Sequence, residues 1–446
     1  MKLFVFLCVA GASAGSLSSF SRHIGEASQF DGDIWAVLVA GSDGWSNYRH
    51  QADVCHAYQI LKSHGVPDRN IVVLMKDDIA NNDNNPTPGK MVNRPGGPDV
   101  YEGVPKDYTG DRVTPETFLK VLEGDVGLKE AGHKVLASNE KDHIFVFFSD
   151  HGAPGLVAFP DDVLYAKDLI ATLERMHAAN SYGRAVIYME ACEAGSMFDG
   201  LLKPDHRILA VAAANPSEPS YAIYCETGNC LGDEFSVKWM EDSEKQGDLS
   251  KETLAQQFGR VRQAVEKSHV SHYGDVSFDQ TPVSQFQGDK VSAPRVAVHS
   301  ESEEKQSLRV VSYDVPIHVM EMRVQSSNSD LERRKLEVMK KGRHFVDTVN
   351  EYLASELEER HDLPHPLLGA MRRLEKHDCY KMLVQAYDEH CFHLSTHTYA
   401  LRSLFLFVNI CHHLPDESIE TVKPIAETVG NFCRRNVADH PFRAIV

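Results

Sequence analysis

Up to about Gly288 the chain alternates short apolar runs with stretches of helical periodicity. Five runs, 34–40 (IWAVLVA), 71–75 (IVVLM), 144–148 (IFVFF), 185–189 (AVIYM) and 208–213 (ILAVAA), are rich in β-branched and aromatic residues. Continuous apolar strands of this kind suit a parallel sheet covered on both faces. Between the first two, QADVCHAYQILKSHG sets Val54, Ala57, Tyr58 and Leu61 on one helical stripe and stops at Gly65. Cys55 on that helix reads as a small packed core thiol. Strands alternating with helices predict an α/β fold with an open, mostly parallel sheet flanked by helices.

The stretch 81–107 is dense in Asn, Pro and Gly and predicts a long surface loop. Gly89-Lys90 lies in it without phosphate-loop spacing, so no nucleotide site is read. From Gly288 to about Pro316 the chain turns polar and loses periodicity, as a linker does. Beyond it, 331–343 (LERRKLEVMKKGR) carries six basic and two acidic residues. Phe345, Val349, Tyr352, Leu353 and Leu357, then Leu401, Leu404, Phe405, Val408 and Cys411, repeat at helical spacing and predict a small helical bundle.

Composition adds compartment and charge. Residues 2–14 (KLFVFLCVAGASA) join one Lys, an apolar run and the small-residue pattern Ala12-Ser13-Ala14, which predicts a signal peptide over 1–14 and a chain entering the secretory pathway. No later apolar run approaches the ~20 residues of a membrane span. The formal net charge of −18 argues against nucleic acid as a partner. Of nine cysteines, Cys8 lies in the signal. Cys225 and Cys230 are five apart, and Cys379, Cys391, Cys411 and Cys433 fall in the helical tail, where four cysteines allow three pairings. Cys55 and Cys192 have no local partner. The 23 histidines are scattered, Cys411-His412-His413 has no second half of a zinc site, and neither metal nor cofactor is expected.

Two predicted strands end in similar ways, one in Ser149-Asp150-His151-Gly152 and the other in Glu190-Ala191-Cys192-Glu193. Ligands of open parallel sheets bind beyond the carboxyl ends of the strands. A His and a Cys there can face each other, the imidazole generating the thiolate and later protonating a leaving amine. The N–H groups of Gly152 and Cys192 suit an oxyanion hole, where one donor is worth ~2.7–4 kcal/mol in the transition state.

The chain resembles the legumain family of asparaginyl endopeptidases, cysteine proteases of caspase-like fold. The resemblance is carried by GSDGWSNYRHQADVCHAYQI (41–60), DNNPTPGKMVNRPGGPDVYEGVPKDYTG (83–110), SDHG (149–152), EACEAGSM (190–197), LGD (231–233) and the cysteine-bearing tail. It implies Cys192 as nucleophile, His151 as its partner and Asn47 as the residue orienting the imidazole. It also implies an S1 pocket of Arg49, His50, Asp150, Glu190, Ser220, Tyr221 and Asp233. An asparagine side chain offers one acceptor and two donors, so Arg49 would donate to its carbonyl while Glu190 and Asp233 accept from its amide. Protonated Asp mimics Asn, which implies cleavage after Asp at acid pH. Pro219 stands where relatives often have Ser, and a Cys225–Cys230 bridge resembles the plant members more than the animal ones.

The resemblance further implies a short N-terminal extension (15–30), a catalytic domain (31–288), a linker or activation peptide (289–330) and an all-α prodomain (331–446) capping the site. The pairs Cys379–Cys411 and Cys391–Cys433, self-cleavage at Asn328 with Asp330 as second candidate, an endolysosomal or secreted location, peptide ligation and cystatin-type inhibitors belong to the same expectation. The acidic body and the basic run at 333–343 are expected to attract each other and to part on acidification. Two rivals stand beside this reading. One is a GPI-anchor transamidase-like enzyme sharing the Cys/His pair. The other is a catalytically silent secreted binding protein.

Overall fold

In the computed structural model, residues 30–226, 228–291, 307–327 and 329–444 are described. The predicted signal, most of the polar stretch after Val291 and Asn328 lie outside them. The apolar runs form a six-stranded sheet from β1 (Ile34–Ala40), β2 (Ile71–Leu74), β3 (His143–Ser149), β7 (Arg184–Glu190), β8 (Ile208–Ala212) and β11 (Ser271–Gly274). Its order is β2–β1–β3–β7–β8–β11, parallel throughout except for the antiparallel edge β11. Alternation along β1 splits the core. Ala36, Leu38 and Ala40 face one cluster with α1 (Tyr48–Ser63), while Val37 and Val39 face the other with α2 (Pro115–Leu122).

The short helix α3 (Val126–Glu130) follows α2. A small antiparallel sheet, β4 (Gly152–Ala153), β5 (Leu156–Phe159) and β6 (Asp162–Tyr165), grows directly out of the end of β3 and leads into α4 (Ala166–Ala178). Beyond β8, β9 (Tyr221–Ile223) and β10 (Gly232–Asp233) pair antiparallel, joined by the loop that Cys225–Cys230 closes. The helices α5 (Glu234–Gln246), α6 (Leu254–Ala264) and α7 (Ser284–Gln287) complete the α1 face.

Two expectations are corrected. The stretch 81–107 is a loop, but it is folded inward. Met91, Val100 and Val104 join the core under α1, and buried Arg94 pairs with buried Glu244 at 2.7 Å. The polar stretch expected as linker is structured from Ser307 onward. Val310–Val311 (β12) adds antiparallel to β9, and α8 (Val315–Ser327) follows. β12 escapes a sequence reading because two paired residues leave no periodicity.

The tail is α9 (Asp330–His361), α10 (His377–His390), α11 (Phe405–His413) and α12 (Ile419–Asn436), stapled by Cys379–Cys411 and Cys391–Cys433. Its apolar core takes in Ala153, Leu156, Val163 and Tyr165 of the small sheet, so the tail is packed onto the elements that follow His151.

Candidate active site and the segment that covers it

His151 and Cys192 each lie two residues beyond paired strand ends, because Ser149 of β3 is opposite Glu190 of β7 and the Asp150 N–H donates to the Glu190 carbonyl at 3.0 Å. Both are buried. Asn47 sits at the N-terminus of α1, and its Nδ2 donates to the Asp43 carbonyl at 2.9 Å. That bond turns Oδ1 toward His151 Nε2, 2.9 Å away, so Nε2 carries the proton and Nδ1 keeps its lone pair. The Ser220 N–H reaches Cys192 Sγ at 3.3 Å. Gly152 has a steric reason of its own: a Cβ there would lie 2.3 Å from the Cys192 carbonyl oxygen, so a side chain would push the two strand ends apart.

Beside this pair lies a pocket of buried charge. Arg49, fully buried on α1, donates through Nε to Asp233 Oδ1 at 2.8 Å. His50 Nδ1 is 3.2 Å from Asp150 Oδ1 and 2.5 Å from Ser42 Oγ, and its Nε2 is 3.5 Å from Asp233 Oδ2. Glu190 Oε2 accepts from the Ser236 N–H and Oγ, each at 2.9 Å. His50 Nε2, Glu190 Oε1 and Asp233 Oδ2 are buried without a hydrogen-bond partner. Burial raises the carboxyls of Asp150, Glu190 and Asp233, with the Asp233 charge adding to the rise at Glu190. Burial first and Arg49 second lower both His50 and His151. His50, Asp150 and His151 bring three ligand-type atoms within 4.8 Å of one another, but the two imidazoles are already engaged by Ser42 and Asn47.

The pocket is covered from within the chain. β12 runs along β9 with Val311 opposite Tyr221, and the Ser312 N–H donates to the Ser220 carbonyl at 3.1 Å. Ser312 Oγ accepts from Arg49 Nη2 at 2.8 Å and lies 3.4 Å from His151 Nδ1. Next to it the Arg402 guanidinium lies 5.6 Å from the Tyr313 ring centre, and Asp314 pairs with Arg343 at 2.5 Å. The covered thiol is neutral: burial pushes Cys192 well above the usual range, with the Glu193 carboxylate adding to the rise. Ser312 gave no signal in a polar, aperiodic stretch, whereas Ser42 lies within GSDG, one of the matched pieces.

Among the described residues, four ion pairs of the basic run do not reach the body. Arg333, Lys335, Lys340 and Arg343 pair with Asp330, Glu332, Glu321 and Asp314, all within the tail and the segment preceding it. Among the described residues, the ion pairs joining tail to body are Lys167–Asp378 (2.8 Å), Asp168–Lys381 (2.7 Å) and Asp199–Arg373 (2.5 Å). They lie beside the face on which the tail core meets Ala153, Leu156, Val163 and Tyr165 of the small sheet, whereas Arg333, Arg334, Lys335, Lys340 and Lys341 are exposed.

Residues 34–289 match the Peptidase C13 family and residues 334–433 the legumain prodomain. The chain belongs to the Peptidase C13, or legumain, family. It is 44% identical to legumain of Rattus norvegicus over 413 residues, covering 89% of this chain and 92% of that protein. It is 44% identical to human legumain over 397 residues, 85% and 89% of the two chains. It is 38% identical to the vacuolar-processing enzyme of Vicia sativa over 448 residues, 93% and 89%. Among solved structures, caspase-1 of Spodoptera frugiperda aligns with a TM-score of 0.36 at 11% identity, over 59% of this chain and 92% of that one. As a family member the protein is a cysteine endopeptidase carrying its own prodomain. Among the described residues no helix is long and apolar enough to cross a membrane.

Proposed function

We propose that this legumain-family peptidase hydrolyses peptide bonds after Asn, and after Asp at acid pH, and that it is made as a zymogen opened by acid. The observation that carries the reading is the set of buried atoms without partners around Arg49: Glu190 Oε1, Asp233 Oδ2 and His50 Nε2. A primary amide satisfies the two carboxyl oxygens by donating an N–H group to each, while its carbonyl accepts from Arg49 in place of Ser312. A ligand lacking the amide leaves buried polar atoms unpaired, which is where large discrimination arises.

Cys192 is the nucleophile in this reading and His151 Nδ1 takes its proton, the imidazole held by Asn47. The N–H groups of Gly152 and Cys192 stabilise the oxyanion. Proton return from His151 to the leaving amine gives a thioester, which water hydrolyses; an amine in place of water gives ligation. An extended substrate adds to the edge of β9 at Ser220 and Tyr221, where β12 now lies. Catalysis therefore requires the segment around Ser312 and the tail to leave. Among the described residues the tail is joined to the body by the ion pairs Lys167–Asp378, Asp168–Lys381 and Asp199–Arg373, and in this reading cleavage at Asn328, or at Asp330, lets the tail part from them. A signal peptide over 1–14 and passage to an acidic endolysosomal compartment or the exterior complete the proposal, with cystatin-type proteins as inhibitors.

The test is turnover of fluorogenic peptides ending in Asn, Asp or Lys between pH 4 and 7 after acid treatment, with Cys192→Ala as control. Turnover confined to Asn, joined by Asp near pH 4, is expected. Equal turnover of Lys, or activity surviving Cys192→Ala, refutes the reading.

A further inference from the structure

Four residues after Arg49, on the same face of α1, Asp53 is buried in a place that hydrolysis does not explain. Its Oδ1 accepts from Asn93 Nδ2 at 2.7 Å and its Oδ2 from Ser149 Oγ at 3.1 Å. The Asp233 N–H points between the two oxygens, at 3.4 and 3.3 Å. One carboxyl thus ties α1, the end of β3, the inward loop at 81–107 and β10. Those are the elements that present Arg49, Asp150 with His151, and Asp233.

Each tie is itself anchored. Asn93 Nδ2 also donates to the Leu231 carbonyl at 2.9 Å, and Asn93 Oδ1 meets His56 Nδ1 at 2.8 Å. His56 Nε2 lies 3.2 Å from Glu244 Oε1, whose other oxygen accepts from Arg94. Every side chain in this chain of contacts is buried. A carboxyl placed there carries a cost, because it adds a third acid beside Glu190 and Asp233 opposite the single guanidinium of Arg49.

We propose that Asp53 is a positioning residue for substrate selection: its carboxyl sets the height and direction of the Asp233 backbone, and so the placing of Asp233 Oδ1 on Arg49 and of Oδ2 toward the P1 amide. The inference rests on the pocket assignment above. It does not make Asp53 a catalytic residue, since nothing places it against the reacting atoms. Burial, with Asp233 and Glu190 nearby, raises its carboxyl well above the ordinary range. At acid pH it therefore keeps its proton, and the neutral carboxyl still accepts from Asn93, Ser149 and the Asp233 N–H. Asparagine in its place keeps the shape, one acceptor and a donor; alanine keeps none of them.

The test uses the full chain, acid-matured, in four versions: natural, Asp53→Ala, Asp53→Asn and Asp233→Ala. For each, kcat and KM for a P1-Asn peptide are measured together with the rate of Cys192 alkylation by iodoacetamide, which needs no S1 pocket. The expected result is a fall in kcat/KM of about tenfold or more for Asp53→Ala, carried mainly by KM, with alkylation within about twofold of natural. Asp53→Asn should recover most of the loss. Should Asp53→Ala fail to mature, Ser149→Ala, which removes one tie, is expected to show a smaller KM effect of the same kind. Three outcomes overturn the proposal: unchanged KM in Asp53→Ala, parallel loss of kcat and alkylation, or Asp53→Asn as poor as alanine. Asp233→Ala separates the two readings. If it too leaves Asn turnover unchanged, the pocket assignment fails; if it abolishes turnover while Asp53→Ala does not, only the present inference fails.

Discussion

Glu252 shows how this fold couples its stability to acidity. It is buried below α5, where it and Asp242 share one cation, Arg260, whose Nη1 lies 3.6 Å from Asp242 Oδ1 and 2.5 Å from Glu252 Oε1. The other oxygens, Asp242 Oδ2 and Glu252 Oε2, are buried without a donor. Burial, then the charge of Asp242, raises Glu252 from 4.5 to about 8. A carboxyl that holds its proton more tightly when folded stabilises the fold fully below the unfolded value. That contribution is lost as pH rises from about 4.5 to about 8. The gap is worth up to about 5 kcal/mol at 1.36 kcal/mol per pH unit, and water reaching the 45%-exposed Arg260 side chain reduces this to about 2–4 kcal/mol. At roughly 2–4 °C per kcal/mol for a domain of this size, a fall in Tm of about 4–16 °C between pH 5 and 8 is expected from this one group. Glu252→Gln in a Cys192→Ala background, which lacks the proposed nucleophile, should flatten the Tm–pH curve by that amount while leaving the Tm near pH 5 within about 3 °C. Parallel curves for the two proteins would refute the reasoning.

Other expectations concern the cap and the pocket. Gly155 has φ of 65°, and a Cβ there would meet Leu374 Cδ2 of the tail at 2.4 Å. Gly155→Ala should cost the mature enzyme about 1–2 kcal/mol for its backbone and the capped form about 1–3 kcal/mol more. Peptidase activity of the uncleaved zymogen at neutral pH should then rise roughly 5- to 150-fold; an unchanged rate contradicts the close packing of Gly155 on Leu374. Arg49→Gln removes a guanidinium from a pocket of buried acids. It should cost about 3–5 kcal/mol of stability by thermal unfolding and abolish selection for Asn over Ala at P1, and retained selection would remove Arg49 from the pocket's chemistry.

The central sheet was legible because strands buried on both faces must be continuously apolar, and IWAVLVA and IFVFF leave no helical alternative of sufficient length. The strand ends bearing His151 and Cys192 followed from that, since a parallel sheet brings its carboxyl ends to one edge. Ser312 was not legible. Its place over Arg49 and His151 depends on two residues of strand pairing and on the tail holding Tyr313, neither of which leaves a local pattern. The same holds for Met91 and Val100, apolar residues in a turn-rich stretch whose burial is decided by α1 above them. The orientation of 333–343 was misjudged because net charge sets long-range attraction, whereas the apolar faces of α9 and α10 decide which side of the tail packs. Asp53 had a signal, the four-residue spacing from Arg49 on a helix, but it acquires meaning only once β10 is known to lie beside it.

The most direct test of Asn-directed cleavage by Cys192 is to digest a proteome-derived peptide library with the acid-matured enzyme and read the residue preceding every new cut by mass spectrometry. Asn should precede nearly all cuts near pH 6, with Asp joining only as the pH approaches 4, and the Cys192→Ala protein should make none. Cuts after residues without a side-chain amide at pH 6, or the same cuts made by Cys192→Ala, would contradict it.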